Sequence, residues 1–419
     1  MSDKLIIGFD LCDTYTQIAI YDEDKKEVEN VKLTDDLEEI PTTICKVRRR
    51  DEWKIGAAAC EMALFGSGIA VDKLLRLVKK GGYSTLEGTT YQASDLLELY
   101  IREAFEYVTA KYSKDIDKVV FTVKELDCVL VNCIVESAVK AGVDKDSVMV
   151  ISHTESFLYY LLRQPAENLA NYSVLFDLSS EGLSYYECQI QRGVSPQIAQ
   201  AKVTELEEGF SLDILESEPG KKLADNIFSA CVDRQFSGKI ISNVYMTGRG
   251  LLGIQEWGSK SLKTICNRRR VFLDNAMFAK GAVWAAKMAE GSEPVVPYVM
   301  ICDGRIWASV SINMVVAGAP KTLTLISAGQ RWYDTKSHTE FILDDADSID
   351  INITPAGVKK STLKRITLGE FPERPNKTTR VGMDLEFTSE TELLVTLKDM
   401  GFGELFASSG VVLRREISL

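Results

Sequence analysis

Hydrophobic positions along this chain follow two rhythms, and each rhythm predicts an element. Residues 5–11 form an apolar run broken only by Asp10, 12–16 a polar turn and 17–21 a second run, the pattern of a strand hairpin rich in β-branched and aromatic residues. Residues 173–190 repeat that design, with a turn of small residues between the two runs. Further apolar runs at 40–47, 118–123 and 148–151 read as strands, and 243–250 reads as a strand-to-turn junction ending in glycines. Over 94–112 the spacing changes: Leu96, Leu97, Tyr100, Ile101, Ala104, Phe105 and Val108 recur at helical intervals, with charges on the other face. Stretches 69–80 and 127–141 also read as helices, the second stopping at Gly142, a good C-cap position. One or two helices are expected within 204–240, with Leu223, Ile227, Phe228 and Val232 as their core face. Gly291-Ser292-Glu293-Pro294 marks a linker. Beyond it, short alternating runs such as 349–353 and 393–397, separated by Gly, Pro, Asn and Asp, predict a β-sandwich.

Composition narrows the function more than the fold. A length of 419 residues predicts about two to three domains with ample core. The formal charge of −12 argues against a nucleic-acid or anionic-membrane surface, and the basic run 267–270 reads as a solvated turn. No stretch is long and apolar enough for a membrane helix, and the first strand begins too close to the N-terminus for a signal peptide. Nine cysteines are scattered singly, so neither a disulfide framework nor a zinc motif is indicated, and a cytoplasmic location is expected. Only His153 and His338 are present, which sets histidine-based metal or triad chemistry aside.

Candidate chemistry enters with Asp10, a carboxylate planted where an apolar strand meets its turn. Alone it reads as capping that turn. Its echo, Asp177, at the same point of the second hairpin changes the reading: two hairpins each deliver one carboxylate, as two similar halves facing a cleft would. These hairpins resemble the two phosphate loops of the actin-like ATPase superfamily, closest to the DnaK-type 70-kDa heat-shock chaperones, where the loops run DLGTT and DLGGGT. The order of later landmarks is similar too. A strand with Pro41 precedes a helix opened by small residues, and the strand at 148–151 precedes Ser152 and His153, where that family has glutamate and proline. Glu155 is displaced from the family's glutamate and reads as a helix-face carboxylate. Thr247-Gly248-Arg249-Gly250 resembles the adenosine-side loop, and 274–282 the helix that follows it.

The resemblance implies an α/β actin-like two-lobe fold with ribonuclease H-like lobes over 1–292 (lobe I about 1–171, lobe II about 172–290). It implies a C-terminal β-sandwich over 298–419, similar to the chaperones' substrate-binding domain. The adenine-clamping subdomain is reduced or absent between the second hairpin and the loop at 247–250, where Lys221 and Lys222 read as a solvated helix start. No helical lid is expected before the chain ends at Leu419.

It also implies a cofactor, ATP or ADP with magnesium, held by Asp10, Cys12, Asp13, Thr14, Ser179, Ser180, Glu181, Gly182, Thr247, Gly248, Arg249 and Gly250. Asp10 and Asp177 would face the metal through water, and Asp177 would be the vestigial catalytic carboxylate.

The loops themselves argue against that cofactor. Cys12 and Asp13 replace a glycine and a threonine, and Ser179, Ser180 and Glu181 replace three glycines, while Gly182 replaces the threonine. Lost glycines remove the room a phosphate needs against backbone. Asp13 and Glu181 would each repel a polyphosphate by roughly 3–4 kcal/mol at ~4–5 Å. The expectation is a chaperone-like pseudo-ATPase that binds a polypeptide or partner protein through its β-domain or interlobe cleft. Its rival is a working ATP-driven chaperone, which would lose phosphate release on Asp177→Asn. A filament-forming scaffold is a further alternative, separable by sedimentation. A small-molecule kinase is disfavoured, because no substrate carboxylate is evident between the lobes.

Overall fold

The structure, a computed structural model, describes residues 4–32, 39–291 and 298–419. The linker therefore falls, from Ser292 on, outside the described residues, as does the middle of the acidic connection after the first hairpin. The chain divides into two compact units, one formed by Met1–Ile190 with Ala201–Val296, the other by Gln191–Gln200 with Pro297–Leu419. The sequence pattern places 191–200 with the first unit. Instead, the strand Gln197–Leu206 begins in the second, where Gln197 to Gln200 pair in parallel with Tyr298–Ile301.

The first unit is built twice from one plan. In one sheet the strands run Val148–Ser152, Asp115–Val123, Lys4–Leu11, Tyr15–Asp22, Glu27–Asn30; in the other they run Arg270–Leu273, Ile241–Thr247, Tyr172–Ser179, Gly182–Gln191, Gln197–Leu206. Both orders are fifth, fourth, first, second, third in chain sequence. In each, the first strand pairs antiparallel with the second and parallel with the fourth, and the fourth pairs parallel with the fifth. Helices fall at matching points as well. Ala93–Tyr112 and Glu218–Phe236 precede the fourth strands, and His153–Leu162 and Met277–Ala289 follow the fifth. Parallel pairs need such crossovers, and central strands covered on both faces read as unbroken apolar runs.

Small residues let the last helix of the plan come close. A Cβ at Gly8 would lie 2.0 Å from the Ala279 carbonyl oxygen, and one at Gly281 would lie 2.1 Å from that of Ser156. Helix Met277–Ala289 thus packs backbone to backbone on the first hairpin and on helix His153–Leu162.

Two expectations need correction. Residues 69–80 are not one helix: Gly68–Val71 is a strand paired with Ile44–Val47, and only Leu74–Lys79 is helical. The β-branched pair Ile69 and Val71 found a partner strand, and sheet pairing overrode the helical spacing. On helix Glu218–Phe236, Phe228 and Val232 are buried as expected and Ile227 packs against them, but Leu223 is 53% exposed and Ala224 takes the inward position beside it.

The second unit holds two four-stranded antiparallel sheets. One has the order Ala319–Ile326, Ala308–Val316, Ser348–Pro355, Thr362–Thr367; the other has the order Lys336–Ile342, Arg380–Phe387, Glu392–Gly401, Val412–Ser418. Alternate residues of both, among them Val310, Ile351, Val381, Val395 and Leu413, share one core. A buried ion pair pins one end: Arg374 donates to both carboxylate oxygens of Asp399, at 2.8 and 2.7 Å, and also to the Ala407 carbonyl.

Candidate functional site

The duplicated plan sets Asp10 and Asp177 at equivalent points. Asp10 stands opposite Gln17 and Thr122 in its sheet, and Asp177 stands opposite Ser184 and Thr247 in the other. Both carboxylates are buried, at 0% and 4% exposure. The turns that follow them meet. The Thr14 hydroxyl lies 2.8 Å from the Ser180 hydroxyl, and the Thr14 backbone N–H and hydroxyl donate to Glu181 Oε1 at 3.2 and 3.3 Å. The donors that the resemblance assigns to a phosphate are thus taken by the protein's own carboxylate.

Asp13 behaves differently from the sequence expectation. Its carboxylate accepts the Arg76 N–H at 3.0 Å and faces the Arg76 guanidinium at 3.7 Å, so it serves helix Leu74–Lys79 and leaves the loop. The Asp13 carboxylate is thus engaged by Arg76 at the edge of the cleft, whereas Glu181 stays between the turns.

Behind the turns lies a buried cluster built on His153, one of the two histidines. Ser152 caps helix His153–Leu162 by accepting the Glu155 N–H, and so fixes His153 at its first position. His153 Nε2 lies 2.8 Å from Asp10 Oδ1, and its ring stacks on Phe278 with centroids 3.9 Å apart. Cys12 Sγ is 3.7 Å from the same Asp10 oxygen and 3.8 Å from His153 Nε2, and the Tyr186 hydroxyl is 3.5 Å from Nδ1.

The Ser-His-Thr-Glu run is a legible capping signature. That His153 points at Asp10 is not legible in it. Glu155, expected as a helix-face carboxylate, is fully buried.

Burial governs the chemistry of these groups. It pushes the Cys12 thiol well above its ordinary value, with the Asp10 charge adding to the effect, so Cys12 is protonated at neutral pH and is no nucleophile. Burial also raises the Asp177 carboxyl to about 7, against the opposing pull of His153 and Lys124. Cys12 and Asp10 both address the same ring nitrogen of His153, so the three do not form the relay of a nucleophilic triad.

The third loop is closed by packing. Gly248 has φ +83°, and a Cβ there would lie 2.4 Å from Asp177 Oδ1 and 2.5 Å from the Leu178 carbonyl oxygen; one at Gly250 would meet Leu178 Cγ at 2.5 Å. These glycines admit the neighbouring strand, where the sequence pattern has them admit a ligand. Thr247 donates to the Asn275 carbonyl, and Arg249 is exposed.

Two clefts flank the meeting turns, and Ser180 and Glu181 border both. One, of about 640 Å³, is lined by Cys12, Asp13, Thr14, Lys73, Arg76 and Lys124, the last paired with Glu205. The other, of about 800 Å³, is lined by Ser179, Gly182, Phe210, Leu212, Asp213 and Arg249. A magnesium-bound polyphosphate does not fit this arrangement: its backbone donor at Thr14 is engaged, a carboxylate stands in its place, and an imidazole sits on Asp10.

The first unit is thus a duplicated α/β domain with a self-filled site at the junction of its two hairpins. The chain belongs to the family described as "Family of unknown function (DUF5716) C-terminal", whose profile matches residues 27–303. Residues 305–419 match a "Domain of unknown function (DUF8552)". The first hairpin lies ahead of the first match. A search of curated proteins returned no match.

Proposed function

We propose that this protein is a divergent relative of the DnaK-type chaperones, with an actin-like two-lobe domain whose nucleotide site is closed by its own side chains. On this reading it is a pseudo-ATPase and works in the cytoplasm as a protein- or peptide-binding module. The observation that carries the reading is Glu181, whose carboxylate accepts the Thr14 N–H and hydroxyl where the resemblance puts phosphate oxygens.

Support comes also from the repeated five-strand plan with its equivalent carboxylates, and from nine cysteines of which none is in a disulfide. In the second unit, a groove of about 850 Å³ lined by Met314, Phe341, Ile342, Leu343 and Leu363 borders the open edge of strand Lys336–Ile342. Such an edge offers main-chain hydrogen bonds, and the groove offers apolar pockets, to an extended polypeptide.

Calorimetric titration with Mg-ATP and Mg-ADP tests the closed site, alongside suppression of aggregation of a heat-denatured client. The expected result is no nucleotide heat at millimolar ligand and a suppression that nucleotide leaves unchanged. Submicromolar nucleotide binding with phosphate release would overturn the proposal.

A further inference from the structure

We propose that Asp10, Cys12 and His153 form a buried binding site for a divalent transition-metal ion, with zinc the ion their chemistry suits. The inference goes beyond the proposed function and does not depend on it. Zinc sits ~2.3 Å from a thiolate and ~2.0–2.1 Å from imidazole nitrogen and carboxylate oxygen in a tetrahedron, which sets sulfur ~3.5 Å from each and nitrogen ~3.3 Å from oxygen. The structure has Sγ 3.7 and 3.8 Å from Asp10 Oδ1 and His153 Nε2, and those two 2.8 Å apart. Three donors therefore already form one face of a tetrahedron, and only the nitrogen–oxygen edge has to open, by ~0.5 Å.

Burial adds an independent argument. All three side chains are buried, and Asp10 Oδ2 accepts no hydrogen bond among the described residues; Asp177 Oδ1, at the equivalent point of the second hairpin, accepts none either. Carboxylate oxygens cut off from both water and donors are groups that a cation stabilises. A thiolate with an imidazole selects zinc over the hard magnesium ion.

The ring is held for the task, stacked on Phe278 with the Tyr186 hydroxyl near Nδ1, the second contact a metal-bound imidazole uses. Cys12 alone of the three also lines the cleft of about 640 Å³, so an ion would reach the site past its sulfur.

Binding balances simply. The Cys12 thiol proton leaves to solvent and the sulfur takes the ion. His153 coordinates through Nε2 and keeps one ring proton, on Nδ1, any second ring proton leaving to solvent, and a water from the cleft completes the tetrahedron. The thiolate and the Asp10 carboxylate together neutralise the dication.

The test uses the full chain, untagged and stripped of metal, titrated with cobalt(II) and then zinc(II). Expected are one equivalent of cobalt with a thiolate-to-metal charge-transfer band and tetrahedral d–d bands, displacement by zinc, and a raised melting temperature with zinc. Cys12→Ser and His153→Gln should each weaken zinc binding by more than about 100-fold, beyond the loss typical of an outer-shell change. Replacing the exposed Cys60, Cys128 and Cys266 by serine should leave it unchanged.

X-ray absorption of the zinc-loaded wild type keeps the proposal testable if a variant fails to fold, with one sulfur and the remaining ligands nitrogen or oxygen expected. No thiolate band, a sulfur count other than one, or unchanged affinity in folded Cys12→Ser overturns it.

Discussion

Burial lifts the Asp177 carboxyl to about 7, with His153 and Lys124 opposing and Asp10 and Glu181 adding to the rise. A carboxyl whose folded value lies above its unfolded one binds more protons when folded. It therefore contributes stability that is full below about pH 4 and is lost as pH rises to about 7 and beyond. Asp177→Asn removes that dependence. Denaturation of chelator-treated protein at pH 4.5 and pH 8 should show the variant gaining on the wild type at the higher pH, on the order of a few kcal/mol. An equal difference at both values would mean that Asp177 stays ionised in the fold.

Single residues also mark where the sequence stops being informative. Asp13 and Glu181 look alike in sequence, two acids in degraded loops. A neighbouring helix with an N–H to offer drew Asp13 away, whereas the opposite turn drew Glu181 in.

Close packing of elements depends on positions where no side chain fits. The Gly8 and Gly281 contacts put backbone carbonyls where a methyl would go, and backbone cannot yield as a flexible side chain does. Gly8→Ala and Gly281→Ala should each cost about 3 kcal/mol or more, as overpacking does at its worst. Gly253→Ala, with nothing within 4 Å, should fall within about 0.5 kcal/mol. Urea denaturation of the full chain reads all three.

In the second unit, Arg374 at 7% and Asp399 at 0% side-chain exposure hold the segment around Arg374 to the loop after strand Glu392–Gly401. Arg374→Ala leaves a buried carboxylate without its charge partner, held only by the Gly401 and Ser409 N–H groups, and should cost about 3 kcal/mol, lowering the urea midpoint.

The long helix Ala93–Tyr112 was legible because its stripe is wide and its burial one-sided; all seven residues singled out on it are buried. The stretch 69–80 was not, because a short apolar run carries no mark of whether a strand waits beside it.

Across the whole chain, the amino-acid sequence determined the two hairpins and the long helices, the echo that sets Asp10 against Asp177, and the change to alternating strands beyond residue 298. Periodicity records which side of each element is buried, and burial is a property each element carries locally. What only the tertiary structure decided is the direction of the polar groups. Glu181 meets Thr14 across 167 residues of chain, and His153 meets Asp10 across 143. A polar side chain in a dry junction turns to whichever donor or charge lies within hydrogen-bond reach, because leaving it unpaired there costs more than any local preference. Those partners are brought near by the packing of separate elements, so no spacing along the chain encodes them.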